Sequence, residues 1–163
     1  MDHFYEQLVR ADKTGFYKTV KVATYVLGII GLLIFNVNFI LSIILIVAAA
    51  ACFIYKKELF VEYEYQFTNG EIDIEKILEM KKRKKVTTFN IKEVTLLALE
   101  DSDAVKDFSN KPKSIEKCFS TNAKAKVYVA MVTEGTNRMQ LMFMPDAKFL
   151  ELCYRSNPRV VKK

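Results

Sequence analysis

Residues 22–55 read VATYVLGIIGLLIFNVNFILSIILIVAAAACFIY, thirty-four positions without one charged side chain in a chain of 163 residues. At about 1.5 Å per residue a single helix of that length would reach roughly 50 Å, well past a bilayer hydrocarbon core of about 30 Å. The run must bend, and Asn36-Val37-Asn38, two turn-forming amides near its middle, mark the place. Each half is then short for a span, whose usual range is about 17 to 25 residues. Lys18 and Lys21 can snorkel and lengthen the reach of the first half. A soluble core helix would carry a polar stripe, and neither half has one. A cleavable signal peptide is also disfavoured, because a second apolar segment follows the first at once. The expectation is a transmembrane helical hairpin over 19–57 with its turn at 36–38.

The flanks orient that hairpin. Arg10, Lys13, Lys18 and Lys21 precede it, Lys56 and Lys57 follow it, and the turn has no charge, so the positive-inside tendency puts both termini in the cytoplasm. The expected location is the cell membrane, as a multi-pass protein. Small residues suggest where the helices meet. In an antiparallel pair folded about Val37, Gly28 and Gly31 and the stretch from Ala48 to Ala51 are candidates for close packing. The alternative is that these small residues are simply tolerated by lipid. Ahead of the hairpin, residues 1–18 form an N-terminal segment in which Phe4, Tyr5, Leu8 and Val9 fall at helical spacing. It reads as a short interfacial helix, or as a segment docked on the downstream domain.

From Phe60 the period changes. In FVEYEYQFT, Val61, Tyr63, Tyr65 and Phe67 point one way and Glu62, Glu64, Gln66 and Thr68 the other, the alternation of a half-buried strand. Asn69-Gly70 follows directly, the strongest short hairpin signal, because both central residues of a type I′ turn need positive φ. EIDIEKIL returns with Ile72 and Ile74 on the apolar face. Then come a basic run, two more β-rich stretches (KVTTFNI and EVTLLALE), an exposed excursion from Asp101 to Ser114, and a strand pair, AKVYVAMVTEG with NRMQLMFMP. Pro145-Asp146 starts a C-terminal helix over about 146–156, with Phe149, Leu150 and Cys153 at helical spacing. The tail after Pro158 reads as solvated, with lipid contact second. The fold class expected is α+β: a transmembrane helical hairpin, then an antiparallel β-sheet or open barrel over 58–163, capped by a C-terminal helix.

This order of elements resembles the bacterial pleckstrin-homology-like (PH-like) domains on small membrane proteins. MDHFYEQLV, YEYQFTNGEIDIEKI, KKRKKVTTFNIKEV and MFMPDAKFLELCYRSNPRVV are similar to an uncharacterised domain-of-unknown-function family of small bacterial membrane proteins. The resemblance implies architecture and carries no catalytic residue across. Fold does not fix function.

The remaining question is the run from Lys81 to Lys85, five consecutive basic side chains. A nucleic-acid patch is disfavoured for a domain tethered beside a membrane, so no nucleic acid is expected among the partners. Basic residues near an anionic leaflet gain about 1 kcal/mol each, which makes Lys81, Lys82 and Arg83 the candidates for lipid contact. Internal compensation competes with that reading. Between Lys56 and Glu100 nine basic residues meet nine acidic ones, so the net charge of +6 lies elsewhere in the chain. With a two-residue turn at Asn69-Gly70, Glu64 falls opposite Glu75 and Gln66 opposite Asp73. Like charges directly opposite repel, and Lys84 or Lys85 on the next strand is placed to relieve them.

The acidic face otherwise reads as a solvated strand surface, with a divalent-cation site or an acid/base hydrolase much less favoured. Cys52, Cys118 and Cys153 form no CxxC pair and read as free thiols; His3 is the only histidine, so neither a zinc site nor a histidine triad is expected. No cofactor, metal or catalytic residue is expected. The functional reading is a non-enzymatic, membrane-anchored interaction module for a protein partner or anionic lipid at the inner leaflet. The alternative is an accessory subunit of a membrane complex or transporter, or a homo-oligomer, acting through the hairpin itself. A lone carrier is disfavoured, since no ionisable side chain lies within the spans.

Overall fold

The structure, a computed structural model, describes residues 4–10, 15–79, 81–109, 111–112, 114–119 and 126–162. His3 and Lys13, which the sequence reading used, lie outside them. Two helices, α1 (Gly15–Ile34) and α2 (Phe39–Tyr55), form the apolar hairpin. Asn38 caps α2, its side-chain oxygen accepting from the Leu41 N–H at 3.0 Å. A 3-10 turn, Lys56–Leu59, continues α2, so the helical stretch Phe39–Leu59 reaches 21 residues. Both helices are therefore long and apolar enough to cross a membrane.

The helices meet along a narrow seam. Tyr17, Thr24 and Gly31 are the buried positions of α1, and Ser42 and Ala49, followed by Lys56, those of the facing strip. Each set repeats every seven residues, the spacing that keeps one stripe of a helix against its partner. At Gly31 the backbones approach closely: a Cβ there would sit 3.0 Å from Ile46 Cγ1. The Ser42 hydroxyl donates to the Gly31 carbonyl at 2.7 Å. Gly28 faces Ala49 with room for a methyl group. Within the stretch from Ala48 to Ala51, Ala49 occupies the seam, Ala48 is half-buried beside it and Ala51 is exposed. Outside the seam the apolar surface is open, Leu33 being 74% and Ile40 73% exposed. A hairpin buried in a soluble core would not leave its largest side chains bare.

The rest of the chain forms two four-stranded sheets. The first has the order β1-β2-β3-β4, from Phe4–Val9, Val61–Thr68, Glu71–Leu78 and Lys82–Asn90. In the second, β5 (Val94–Leu99), β7 (Tyr128–Glu134), β8 (Asn137–Phe143) and β6 (Ser114–Cys118) lie side by side in that order. Asn69 (φ 51°) and Gly70 (φ 96°) form the turn between β2 and β3, with Glu64 opposite Glu75 and Gln66 opposite Asp73, the expected register. All pairs are antiparallel except β6 with β8, which run parallel. The C-terminal helix α4 (Ala147–Ser156) is capped by Asp146 and inserts Phe149 between the sheets. Its ring lies about 6 Å from Tyr65 and Phe67 of the first sheet and Phe143 of the second, all in tilted or edge-on arrangements. Phe149 and Cys153 are fully buried.

Three expectations are corrected. Residues Phe4–Val9 are a strand, not an interfacial helix; the second reading, docking on the downstream domain, is the one observed, by pairing with β2 from Phe4 opposite Thr68 to Val9 opposite Tyr63. Tyr5, Gln7 and Val9 face inward, and Gln7 clamps the entry to α4 by donating to the Met144 carbonyl and accepting from the Asp146 N–H, both at 2.8 Å. A partner strand more than fifty residues away outweighed a weak local helical pattern. The excursion after Asp101 is not merely exposed: α3 (Asp103–Lys106) buries Val105 against Leu96, Ala98 and Met131 on the outer face of the second sheet. The tail, read as solvated, adds to the free edge of β5, where the Leu97 N–H donates to Val160 and the Leu97 carbonyl accepts from Lys162, each at 2.8 Å. It covers an edge that would otherwise be open to pairing.

The seam predicts an asymmetry between the two glycines. Gly31→Leu should cost about 1–3 kcal/mol, the usual cost of overpacking, read as a lower unfolding temperature of the full chain in detergent, whereas Gly28→Ala should be neutral. Equal tolerance at both positions would contradict the close contact at Gly31.

Candidate functional site: a basic turn at the foot of the helical hairpin

The turn from β3 to β4 begins at Glu79, whose φ of 48° is left-handed, an uncommon conformation for a residue with a side chain. Its N–H donates to the Phe60 carbonyl at 3.0 Å. Its carboxylate accepts a hydrogen bond from the Tyr17 hydroxyl on α1 at 3.2 Å and lies 3.7 Å from Lys56 Nζ at the end of α2. Lys56 is 6% exposed, with its ammonium 4.4 Å from the centre of the Phe53 ring. The Tyr17 ring packs on Phe60 at 5.5 Å. One carboxylate from the sheet thus holds both helices where they enter the fold. Sequence reasoning missed this trio, because its three members are far apart in the chain and no local pattern links them.

The five cations that follow are sorted by strand geometry. A bulge lies between the pairs Ile74–Thr87 and Glu75–Lys85, leaving Val86 without an opposite residue. On one face, Arg83 Nη1 is 2.7 Å from Glu64 and 3.6 Å from Glu75, and Lys85 Nζ is 2.9 Å from Asp73. On the other, Lys82 is opposite Leu78 and Lys84 opposite Lys76, which itself reaches Glu58 beside the foot of the hairpin at 3.8 Å. Lys81, Lys82 and Lys84 are exposed and form no ion pair among the described residues. Of the residues singled out for lipid contact, the structure leaves Lys81 and Lys82 free and engages Arg83 internally. Lys85 balances the acidic strands as expected, and Lys84 does not.

The β2 half of the acidic face is not a solvated surface, whereas Asp73 and Glu75 on β3 are part-exposed. Glu62 is 5% and Glu64 2% exposed, and Glu64 also accepts from the Gln66 amide at 2.7 Å. Replacing Glu64 would therefore remove a buried acceptor from Arg83 and Gln66, not relieve a surface repulsion. Burial works to raise the Asp73 pKa, and the Thr88 hydroxyl together with the Lys85 ammonium outweighs it, holding this carboxyl below its ordinary value. The hydrogen bond to Asp73 correspondingly raises Lys85. Burial pushes the Cys118 and Cys153 thiols up to about 12, so both are inert at neutral pH. Among the described residues no group of three His, Cys, Asp or Glu side chains could hold a metal ion. A cleft of about 300 Å³ opens between β4 and the β7–β8 hairpin, lined by Thr87, Thr88, Asn137 and Met139 among others.

The Asp73 network sets an acid limit. A carboxyl whose folded pKa is depressed stabilises the fold fully above the unfolded value of about 3.9, and that contribution is lost as pH falls through the folded value. The double variant Thr88→Val, Lys85→Gln should unfold at a lower temperature than the natural sequence at pH 7, with the gap closing below about pH 3. A gap that stays constant down to pH 2 would mean Asp73 is not the group responsible.

No curated protein and no solved structure matches this chain. A family model does, and it spans residues 1–163, the hairpin as well as the two sheets and the closing helix. The chain belongs to the bacterial PH-like domain family DUF6106.

Proposed function

We propose that the chain is a non-enzymatic, membrane-anchored interaction module: its hairpin crosses the bilayer twice, both flanks lie in the cytoplasm, and the sheet domain meets a partner protein or anionic lipid at the inner leaflet. The observation that carries this reading is the Glu79 contact, which ties the turn beside the basic run to the base of both apolar helices. The pairing of β1 with β2 adds a topological argument that does not depend on charge. These strands flank the hairpin in sequence and are hydrogen-bonded neighbours, so the two ends of the hairpin belong on one side of any membrane it enters. This pairing supports an even number of crossings, and the cationic flanks favour the cytoplasmic side.

Topology is read by labelling. With Cys52, Cys118 and Cys153 replaced, an impermeant maleimide applied outside intact cells should label Val37→Cys and spare Ser102→Cys, and the pattern should invert in inside-out vesicles. Labelling of both positions from one side would overturn the two-span reading.

A shallow apolar groove of about 290 Å³ beside the seam, lined by Tyr25, Gly28, Ile29, Leu32 and Ile46 among others, favours the second reading, an accessory subunit that binds through its hairpin. In that case Gly28→Leu, which fills the groove, should abolish stoichiometric co-purification of a membrane partner. Recovery of the same partner with the variant would remove the groove from consideration.

A further inference from the structure

We infer that Lys81, Lys82 and Lys84 form a docking surface for the phosphate headgroups of anionic phospholipid in the bilayer that the hairpin spans. The inference rests on the membrane-anchored reading and adds a ligand class and a residue set. Five adjacent cations would ordinarily count as one patch, and here the alternation of β4 divides them. Arg83 and Lys85 point to the acidic face, where Glu64, Glu75 and Asp73 neutralise them. Lys82 and Lys84 fall on the opposite face, in register with Leu78 and Lys76, and Lys81 lies in the turn itself.

Position makes the unpaired set useful. Lys81 is two residues from Glu79, whose carboxylate touches both helices at their base. Lys76, directly opposite Lys84, reaches Glu58 in the 3-10 turn that ends the second apolar helix. The same end of the sheet therefore carries the free ammonium groups and meets the helices. Ammonium groups fixed beside a leaflet act as point charges for phosphate, and each gains most when it lies within a Debye length of the surface. Lys84 has no acidic residue opposite it, since its cross-strand neighbour Lys76 is taken by Glu58. A phosphate can also approach from outside, since all three lysines are exposed.

The test uses the full chain in bilayer nanodiscs, with spin-labelled phosphatidylglycerol or phosphatidylcholine as probe and the motionally restricted fraction as readout. The natural sequence should associate preferentially with phosphatidylglycerol, the preference weakening with salt. Lys81→Gln, Lys82→Gln, Lys84→Gln in one chain should reduce the preference at least about fivefold, the factor that a single lysine near an anionic leaflet is worth. A control with Lys106→Gln and Arg159→Gln, distant in sequence from the turn, should keep it. Equal association of both lipids, or a preference that survives the triple substitution, overturns the inference. Binding of inorganic phosphate by the chain together with equal association of both lipids would identify a free-anion site and overturn it. Failure of the chain to remain in nanodiscs would instead remove the membrane reading on which the inference rests, so the two failures are distinguishable.

Discussion

The Glu79 carboxylate, held between the Tyr17 hydroxyl and the Lys56 ammonium, is the contact on which the arrangement of this protein depends. The apolar hairpin and the sheets otherwise have separate reasons to fold: one packs along a seam of small and polar residues, the other around the Phe149 ring. The Tyr17 ring on Phe60 and the Lys76–Glu58 pair add to the link between them, but of these contacts only the Glu79 carboxylate touches both helices. Lys56 is nearly buried, so its charge needs a partner, and breaking a buried pair by removing one member is far more costly than losing a surface ion pair. Glu79 also adopts a left-handed backbone, a conformation that costs free energy and persists only where its surroundings hold it. The residue is thus constrained by its backbone bond to Phe60 as well as by its side chain.

A second constraint is topological. Because the hairpin is inserted between β1 and β2, the first sheet is completed only when a strand made before the helices returns beside one made after them. Tyr5 and Gln7 then fasten β1 to Asp146 and Met144 at the entry to α4. The closing helix, the first strand and the strand that leaves the hairpin share one core.

Much of this was legible in the chain because the signals were local. Thirty-four uncharged residues interrupted by Asn36 and Asn38 mark a helical hairpin, and Asn69-Gly70 between alternating segments fixes a register that the structure reproduces. The features that were not legible are nonlocal or break a period. The strand nature of Phe4–Val9 depends on β2, far along the chain. The Ser114–Cys118 strand has one large apolar residue, Ile115, which is exposed, and it exists through parallel pairing with β8. The bulge at Val86 shifts the phase of β4, so alternation from Phe89 back through the lysines assigns the wrong face. That shift is why Arg83 serves the buried Glu64 and Lys84 is left over. In the hairpin, the small residues marked the stretch from Ala48 to Ala51 but not which of them packs: Ala49 lies in the seam and Ala51 faces outward.

The division of the basic run commits Arg83 and Lys85 to the acidic face and leaves a cationic end, and the Glu79 contact lies beside that end. Electron paramagnetic resonance power saturation measures that location. A spin label on Lys82→Cys, in full chain with the three natural cysteines replaced and reconstituted in vesicles, should report the headgroup level of the bilayer. Adding Glu79→Gln should shift it toward the aqueous accessibility of a label at Ser102. A label at Lys82 as accessible as one at Ser102 in the natural background, or a depth unchanged by Glu79→Gln, would contradict the account.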